Sequence, residues 1–172
     1  KVQIGPRMMN VPIKLKANET IKWTYKESQD LRDERDGKIY KTVVVGEQTW
    51  MAENLDYKMN DSYCFADNAY YCKNYGSLYT WWAATTACPA GWHLPNNDEF
   101  EKLLETVGGK SIAGKMLKSK SGWKDDGDGS DDFSFTVLPA GLRMFTRYLD
   151  KSGRGRESFS NDAVQADFWS ST

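Results

Sequence analysis

The stretch from Asn96 to Gly109 leaves this chain the fewest alternatives. Asn96 stands three residues before Glu99, and Phe100, Leu103, Leu104 and Val107 then recur at helical spacing before Gly108-Gly109. An Asn side chain can accept from the free N–H at the third helical position while Glu99 reaches back to the cap's own N–H, so two orphan donors are satisfied together. Such a cap is worth about 1 kcal/mol, and the glycine pair permits a left-handed exit. A second helix is predicted upstream, with Ser77 as its cap, Leu78, Trp81, Trp82 and Thr85 on one face, and Pro89 as its stop.

Strands are expected on either side of these helices. The run Ile39-Tyr40-Lys41-Thr42-Val43-Val44-Val45-Gly46 is rich in β-branched residues, and Glu47-Gln48 followed by Thr49-Trp50-Met51 reads as a tight turn and a returning strand. Beyond Lys110 the chain turns loop-rich, with short strand candidates at 133–138, 141–148 and 168–169. Residues 1–35 read as an N-terminal extension: Val11, Ile13 and Leu15, then Ile21, Trp23 and Tyr25, alternate around Ala17-Asn18-Glu19 as a short hairpin. The charged run Asp30–Asp36 is its solvated junction to a domain over 36–172. Helices followed by short strands predict an α+β fold, two helices packed on a small antiparallel sheet with a long loop-rich region.

Bulk chemistry narrows the partners. At 172 residues the chain suits one domain, and its net charge of -1 lacks the positive excess that nucleic acid or an anionic membrane surface demands. No run of about 18 apolar residues is present to make a membrane span. Aromatic residues reach 13%, with seven Trp and nine Tyr, rings that fill a core or stack on sugars and anchor proteins.

The segment Tyr75-Gly-Ser-Leu-Tyr-Thr-Trp-Trp-Ala-Ala-Thr-Thr-Ala-Cys-Pro-Ala-Gly-Trp-His-Leu-Pro-Asn-Asn-Asp-Glu-Phe100 closely resembles the Fibrobacter succinogenes major paralogous domain family. So do Asp36–Leu55, Ser62-Tyr-Cys64, Ser121-Gly-Trp123, Leu138-Pro-Ala-Gly141 and Phe168-Trp-Ser-Ser-Thr172, and the resemblance covers roughly residues 33 to 172. More distantly, Trp81 with Ala84, then Cys88, Gly91, Leu94 and Glu99, is similar to the helix, cysteine, helix arrangement of C-type-lectin-like domains. The resemblance implies that fold and a place at the cell surface. It also implies a further terminal strand, after Thr172, bearing a cysteine that would pair with Cys88. If the sequence is the whole molecule, the domain over 36–172 is expected to lack its last strand or strands, leaving backbone groups for another chain, a ligand peptide or disorder to satisfy; a chain trimmed from a longer one is the alternative.

Cys64 and Cys72 enclose a short loop with three aromatic residues, and a bridge there would contribute about 2 to 3 kcal/mol. That disulfide is expected, and with it an oxidising, extracellular or outer-membrane location. Cys88 is left over, and His93 is the one histidine, so neither a thiolate zinc site nor a nucleophile with its base is expected. The acidic glycine loop places Asp125, Asp126, Asp128, Asp131 and Asp132 close together, a set of oxygens that calcium could take, although a solvated turn is the plainer reading. The sugar-binding triplets of calcium-dependent lectins are absent, so a glycan would be held by stacking on Trp123, Tyr148 or Trp169. The expected function is non-enzymatic: a surface or secreted binding and adhesion module that takes a glycan or protein ligand. A structural subunit completed by another chain is the alternative. An enzyme of the formylglycine-generating type, which uses a reactive cysteine pair, is the weakest reading because the close pair here looks structural.

Overall fold

The computed structural model describes residues 2–4, 7–9, 29–149, 155–160 and 162–172, with side chains over 29–144, 158–160 and 162–172. The N-terminal hairpin expected around Ala17 lies outside the described residues. The architecture is α+β: four helices and five antiparallel two-stranded ladders among the described residues. In chain order the strands are β1 (Val2–Ile4), β2 (Arg7–Met9), β3 (Leu31–Arg32), β4 (Ile39–Tyr40), β5 (Thr42–Val45), β6 (Gln48–Met51), β7 (Ser62–Tyr63), β8 (Leu78–Tyr79), β9 (Leu142–Leu149) and β10 (Gly155–Ser160). The helices are α1 (Ala69–Tyr75), α2 (Trp81–Ala87), α3 (Asn97–Thr106) and α4 (Lys110–Leu117). The pairs are β1 with β2, β3 with β4, β5 with β6, β7 with β8, and β9 with β10.

The hairpin β5–β6 turns through Gly46-Glu47 and sets Val45 opposite Gln48 and Val43 opposite Trp50. Its Val45 and Trp50 meet Leu103 and Val107 of α3, Ala113 and Leu117 of α4, and Phe135 from the later loop, and these seven residues make the principal core. Trp50 is the hub, its ring 5.5 Å from Phe100 and 5.7 Å from Phe135.

Helix α3 carries the expected capping box: Asn96 Oδ1 accepts from Glu99 N at 2.9 Å, and Glu99 Oε2 accepts from Asn96 N at 2.9 Å. The upstream helix starts three residues later than its sequence suggests. Ser77 donates to Asp56 Oδ1 (2.9 Å) and its N–H bonds Leu55 O (2.9 Å), so Leu78 and Tyr79 are free to pair with β7, and Thr80 caps α2 instead by accepting from Ala83 N. Helix α4 replaces what the sequence presents as loop. Its N-terminus has no side-chain cap and Gly114 interrupts it, so its local signals are poor, and burial of Ala113 and Leu117 holds it in place.

Two of the expected strands do not form. Over 133–138 only Val137 bridges, to Lys118, because Ser134 and Thr136 adopt positive φ (55° and 56°) that breaks an extended run. Residues 168–169 have no ladder partner among the described residues, and the Trp169 indole instead donates to Tyr79 O (2.8 Å). The third candidate is right, as β9, and its partner β10 was not anticipated.

An ion pair between a buried carboxylate and a part-exposed guanidinium joins the first ladder of the main domain to the helices. Asp33 is fully buried between β3 and β4, where its carboxylate receives Arg35 Nε (2.9 Å), Arg35 Nη2 (2.7 Å) and Arg35 N (3.0 Å). The same guanidinium donates to Ala87 O at the end of α2 (2.7 Å) and lies 3.7 Å from the centre of the Tyr57 ring.

Candidate binding cleft

The expected disulfide is present: Cys64 and Cys72 are bonded, and they clamp the turn leading into α1. Downstream, the chain from Gln48 to Tyr57 is zipped to the chain from Tyr75 to Tyr79. Asn54 Nδ2 donates to Tyr75 O (2.7 Å), Tyr79 OH donates to Tyr57 O (2.8 Å), and Tyr57 N donates back to Tyr79 OH (2.9 Å). Burial pushes the Tyr79 phenol well above its ordinary range, so it stays a neutral donor and acceptor in this zipper.

Between that zipper, the elbow joining α2 to α3, and the crossing segments 135–144 and 165–169 lies a cleft of about 1200 Å³. Trp50, Phe100 and Phe135 form its apolar floor, and Trp81, Leu94 and Trp169 stand around them. The last residues of the sequence form a rim. Trp81 Nε1 donates to Ser170 O (2.9 Å), Ser171 N to Pro95 O (2.9 Å), and Thr172 Oγ1 accepts from Asn97 N (3.1 Å). At the elbow His93 Nε2 meets Glu99 Oε1 at 2.8 Å, and the Glu99 carboxyl is held below its ordinary range by the Asn96 N–H first and by His93 after it.

Two buried polar tips in the cleft are unsatisfied. Trp50 Nε1 and Gln48 Oε1 have no hydrogen-bond partner among the described residues, although Gln48 Nε2 donates to Glu99 O (3.1 Å). A buried donor or acceptor left unmade costs about 1–3 kcal/mol, so a donor and an acceptor set together here mark a place where something else could bond. The half-buried thiol of Cys88 also faces the cleft, and burial pushes its pKa up, which disfavours the nucleophilic thiolate.

Of the aromatic residues expected to take a ligand, the cleft brings in Trp169 and not Trp123. Trp169 is on the cleft rim and half exposed. Trp123 is not among the cleft's lining residues: Lys118 Nζ sits 4.1 Å above its ring, and its Nε1 donates to Ser119 Oγ (3.0 Å). Tyr148 belongs to β9, but its side chain lies outside the described residues. Sequence reasoning missed Gln48, Trp50 and Trp81 as cleft residues. The one available signal was that positions 48 and 50 share a face of a strand, pairing an amide with a Trp whose tip must also find a partner.

Two carboxylates of the acidic loop accept from nearby donors. Asp128 Oδ1 accepts from Trp123 N (3.0 Å), while Asp131 receives Thr136 N (2.8 Å) and Thr136 Oγ1 (3.0 Å). Asp125 and Asp126 hold left-handed turns (φ 55° and 56°). Among the described residues no group of three or more His, Cys, Asp or Glu is placed to hold a metal ion, Asp132 included. If the loop is a plain solvated turn, adding calcium and then chelator moves the melting temperature by less than about 1 °C, whereas a site held at 100 times its dissociation constant would add about 2.7 kcal/mol and several degrees.

A model of the family described as the Fibrobacter succinogenes major domain matches residues 43–172. The chain belongs to this family. No curated protein and no solved structure matches it. In this member of the Fibrobacter succinogenes major domain family, most of the stretches that carry the resemblance also border the cleft: 48–55, 75–100, 140–141 and 168–169 contribute residues to its lining, whereas 121–123 does not. The cleft is thus built by the frame of the domain, from elements distant in sequence.

Proposed function

We propose that this domain is an exported recognition and adhesion module of C-type-lectin-like architecture, which binds a glycan or protein ligand in the cleft without chemical turnover. The cleft carries the reading: it joins an apolar aromatic floor to a buried donor and acceptor that the domain leaves unmade, the combination expected of a binding site. The order of α2, Cys88, the elbow and α3 beside small antiparallel ladders supports the architecture. Location at the cell surface or beyond is supported by the Cys64–Cys72 bridge, since such bonds persist in oxidising compartments. No helix among the described residues is long and apolar enough to cross a membrane. Against a thiol enzyme stand the bonded state of the close cysteine pair and the raised pKa of Cys88.

The test is a binding screen of the intact chain against a glycan array, plant and bacterial polysaccharides, and a displayed peptide library. A specific ligand is expected, and Trp169→Ala should weaken it at least tenfold, about 1.4 kcal/mol, by removing a ring from the rim. Trp82→Ala should leave affinity unchanged, because Trp82 is 76% exposed on the outer face of α2 and does not line the cleft. Silence across all three panels, or equal loss from both variants, overturns the proposal.

A further inference from the structure

Among the described residues the strand β6 has a partner on one side only. Ala52 N donates to Lys41 O at 2.8 Å, which fixes the alternation of the ladder. Trp50 and Gln48 therefore turn their main-chain groups toward β5, and Thr49 and Met51 turn theirs away. Neither Thr49 nor Met51 has a main-chain hydrogen-bond partner on that outer edge among the described residues, and both line the cleft.

Three requirements now meet in one place. The open edge offers N–H and C=O groups two residues apart, a spacing of about 6.8 Å that another extended backbone reproduces and a sugar ring does not. The unmade Trp50 N–H and Gln48 carbonyl want an acceptor and a donor, which every peptide unit carries. The volume of about 1200 Å³ exceeds the roughly 300–1,000 Å³ of small-molecule pockets, and its apolar floor suits side chains arriving on alternate positions of a strand. We infer that the cleft accepts an extended segment of a separate polypeptide, which adds to β6 as a third strand and lays alternate apolar side chains over Trp50, Phe100 and Phe135. This rests on the reading of the cleft as a binding site and names the partner class. Recognition of this kind takes its affinity from main-chain hydrogen bonds and its selectivity from the pockets under alternate side chains.

The experiment pans a library of random twelve-residue peptides displayed on phage against the immobilised chain, then synthesises the enriched peptides. Expected are sequences with apolar residues at every second position. N-methylation of one alternate set of amides should weaken binding at least tenfold, while methylation of the other set changes it little. Hydrogen exchange of the Thr49 and Met51 amides should slow at least tenfold on binding, and alkylation of Cys88 should slow with it. Lack of any enriched peptide, indifference to N-methylation at every position, or unchanged exchange at Thr49 and Met51 overturns the inference. Glycan binding without peptide binding would leave the cleft a binding site and sink strand addition alone. A dimer in light scattering that protects Cys88 without peptide would assign the edge to a second copy and also overturn it.

Discussion

Replacing Arg35 with alanine should destabilise the domain by about 3–4 kcal/mol, toward the lower end of the loss for a broken buried pair, because the Asp33 carboxylate is buried but the Arg35 side chain is part exposed. For a chain of this length that is a fall in melting temperature of about 10 °C or more. The cause is the position of Asp33. Its carboxylate is sealed from water and takes three hydrogen bonds, all from Arg35. Removing the guanidinium leaves that charge buried and also frees Ala87 O and the face of Tyr57. A double variant, Asp33→Ala with Arg35→Ala, should lose less than the sum of the two single losses, because the uncompensated charge is gone. Acid supplies a second signature. The Arg35 side chain donating into the carboxylate holds the Asp33 pKa below its ordinary value, against the opposing pull of burial. A group whose pKa is lowered by folding contributes stability that is present above its unfolded pKa of about 3.9 and is lost as pH falls through the folded value. Chemical denaturation between pH 2 and 6 should show this fall in the parent, and a smaller one in Arg35→Ala. Equal stability of Arg35→Ala and the parent at neutral pH would show that the pair carries none of this load.

Gly76→Ala should be as damaging, at about 3–4 kcal/mol. Gly76 ends α1 with φ 77° and ψ -178°, a region essentially reserved for glycine, where a side chain costs about 1–3 kcal/mol. The remainder is steric: an added Cβ would lie 2.5 Å from Asn54 Cβ and 2.9 Å from Asn54 O. Asn54 cannot retreat, because its side chain bonds Tyr75 O and the next carbonyl, Leu55 O, bonds Ser77 N. Gly91 provides the control. Its φ is 81°, yet nothing lies within 4 Å of an added Cβ, so Gly91→Ala should pay the conformational cost alone, about 1–2 kcal/mol. Urea unfolding of the two variants measures the difference, and equal losses would remove the steric argument. Since Gly76 joins the two strips whose zipper walls the cleft, Gly76→Ala should also weaken any ligand held there.

Local chemistry was what could be read in advance. The Asn96–Glu99 box, the hairpin β5–β6 and the Cys64–Cys72 bridge each depend on residues within a few positions of one another, so their types and spacings suffice. The start of α2 was misplaced because Ser77 is a good cap whose hydroxyl is claimed by Asp56, 21 residues away. Helix α4 was invisible for the converse reason: with no cap and an internal glycine, it depends on burying Ala113 and Leu117 against β5, β6 and α3. The acidic loop is dense in charge in the sequence, and only the fold shows that Asp128 accepts from Trp123 N and Asp131 from Thr136.

The sequence by itself determined the family, the α+β class, the capped helix, the main hairpin and the disulfide, since each is written in short-range patterns of hydrogen-bonding and apolar side chains. Tertiary structure alone decided that Gln48, Trp50, Trp81 and Trp169 line one cleft, that Trp123 does not line it, and that the outer edge of β6 is unpaired among the described residues. Those facts depend on which surfaces far apart in the chain come to rest against each other, and packing of that kind leaves no periodic trace in any one segment.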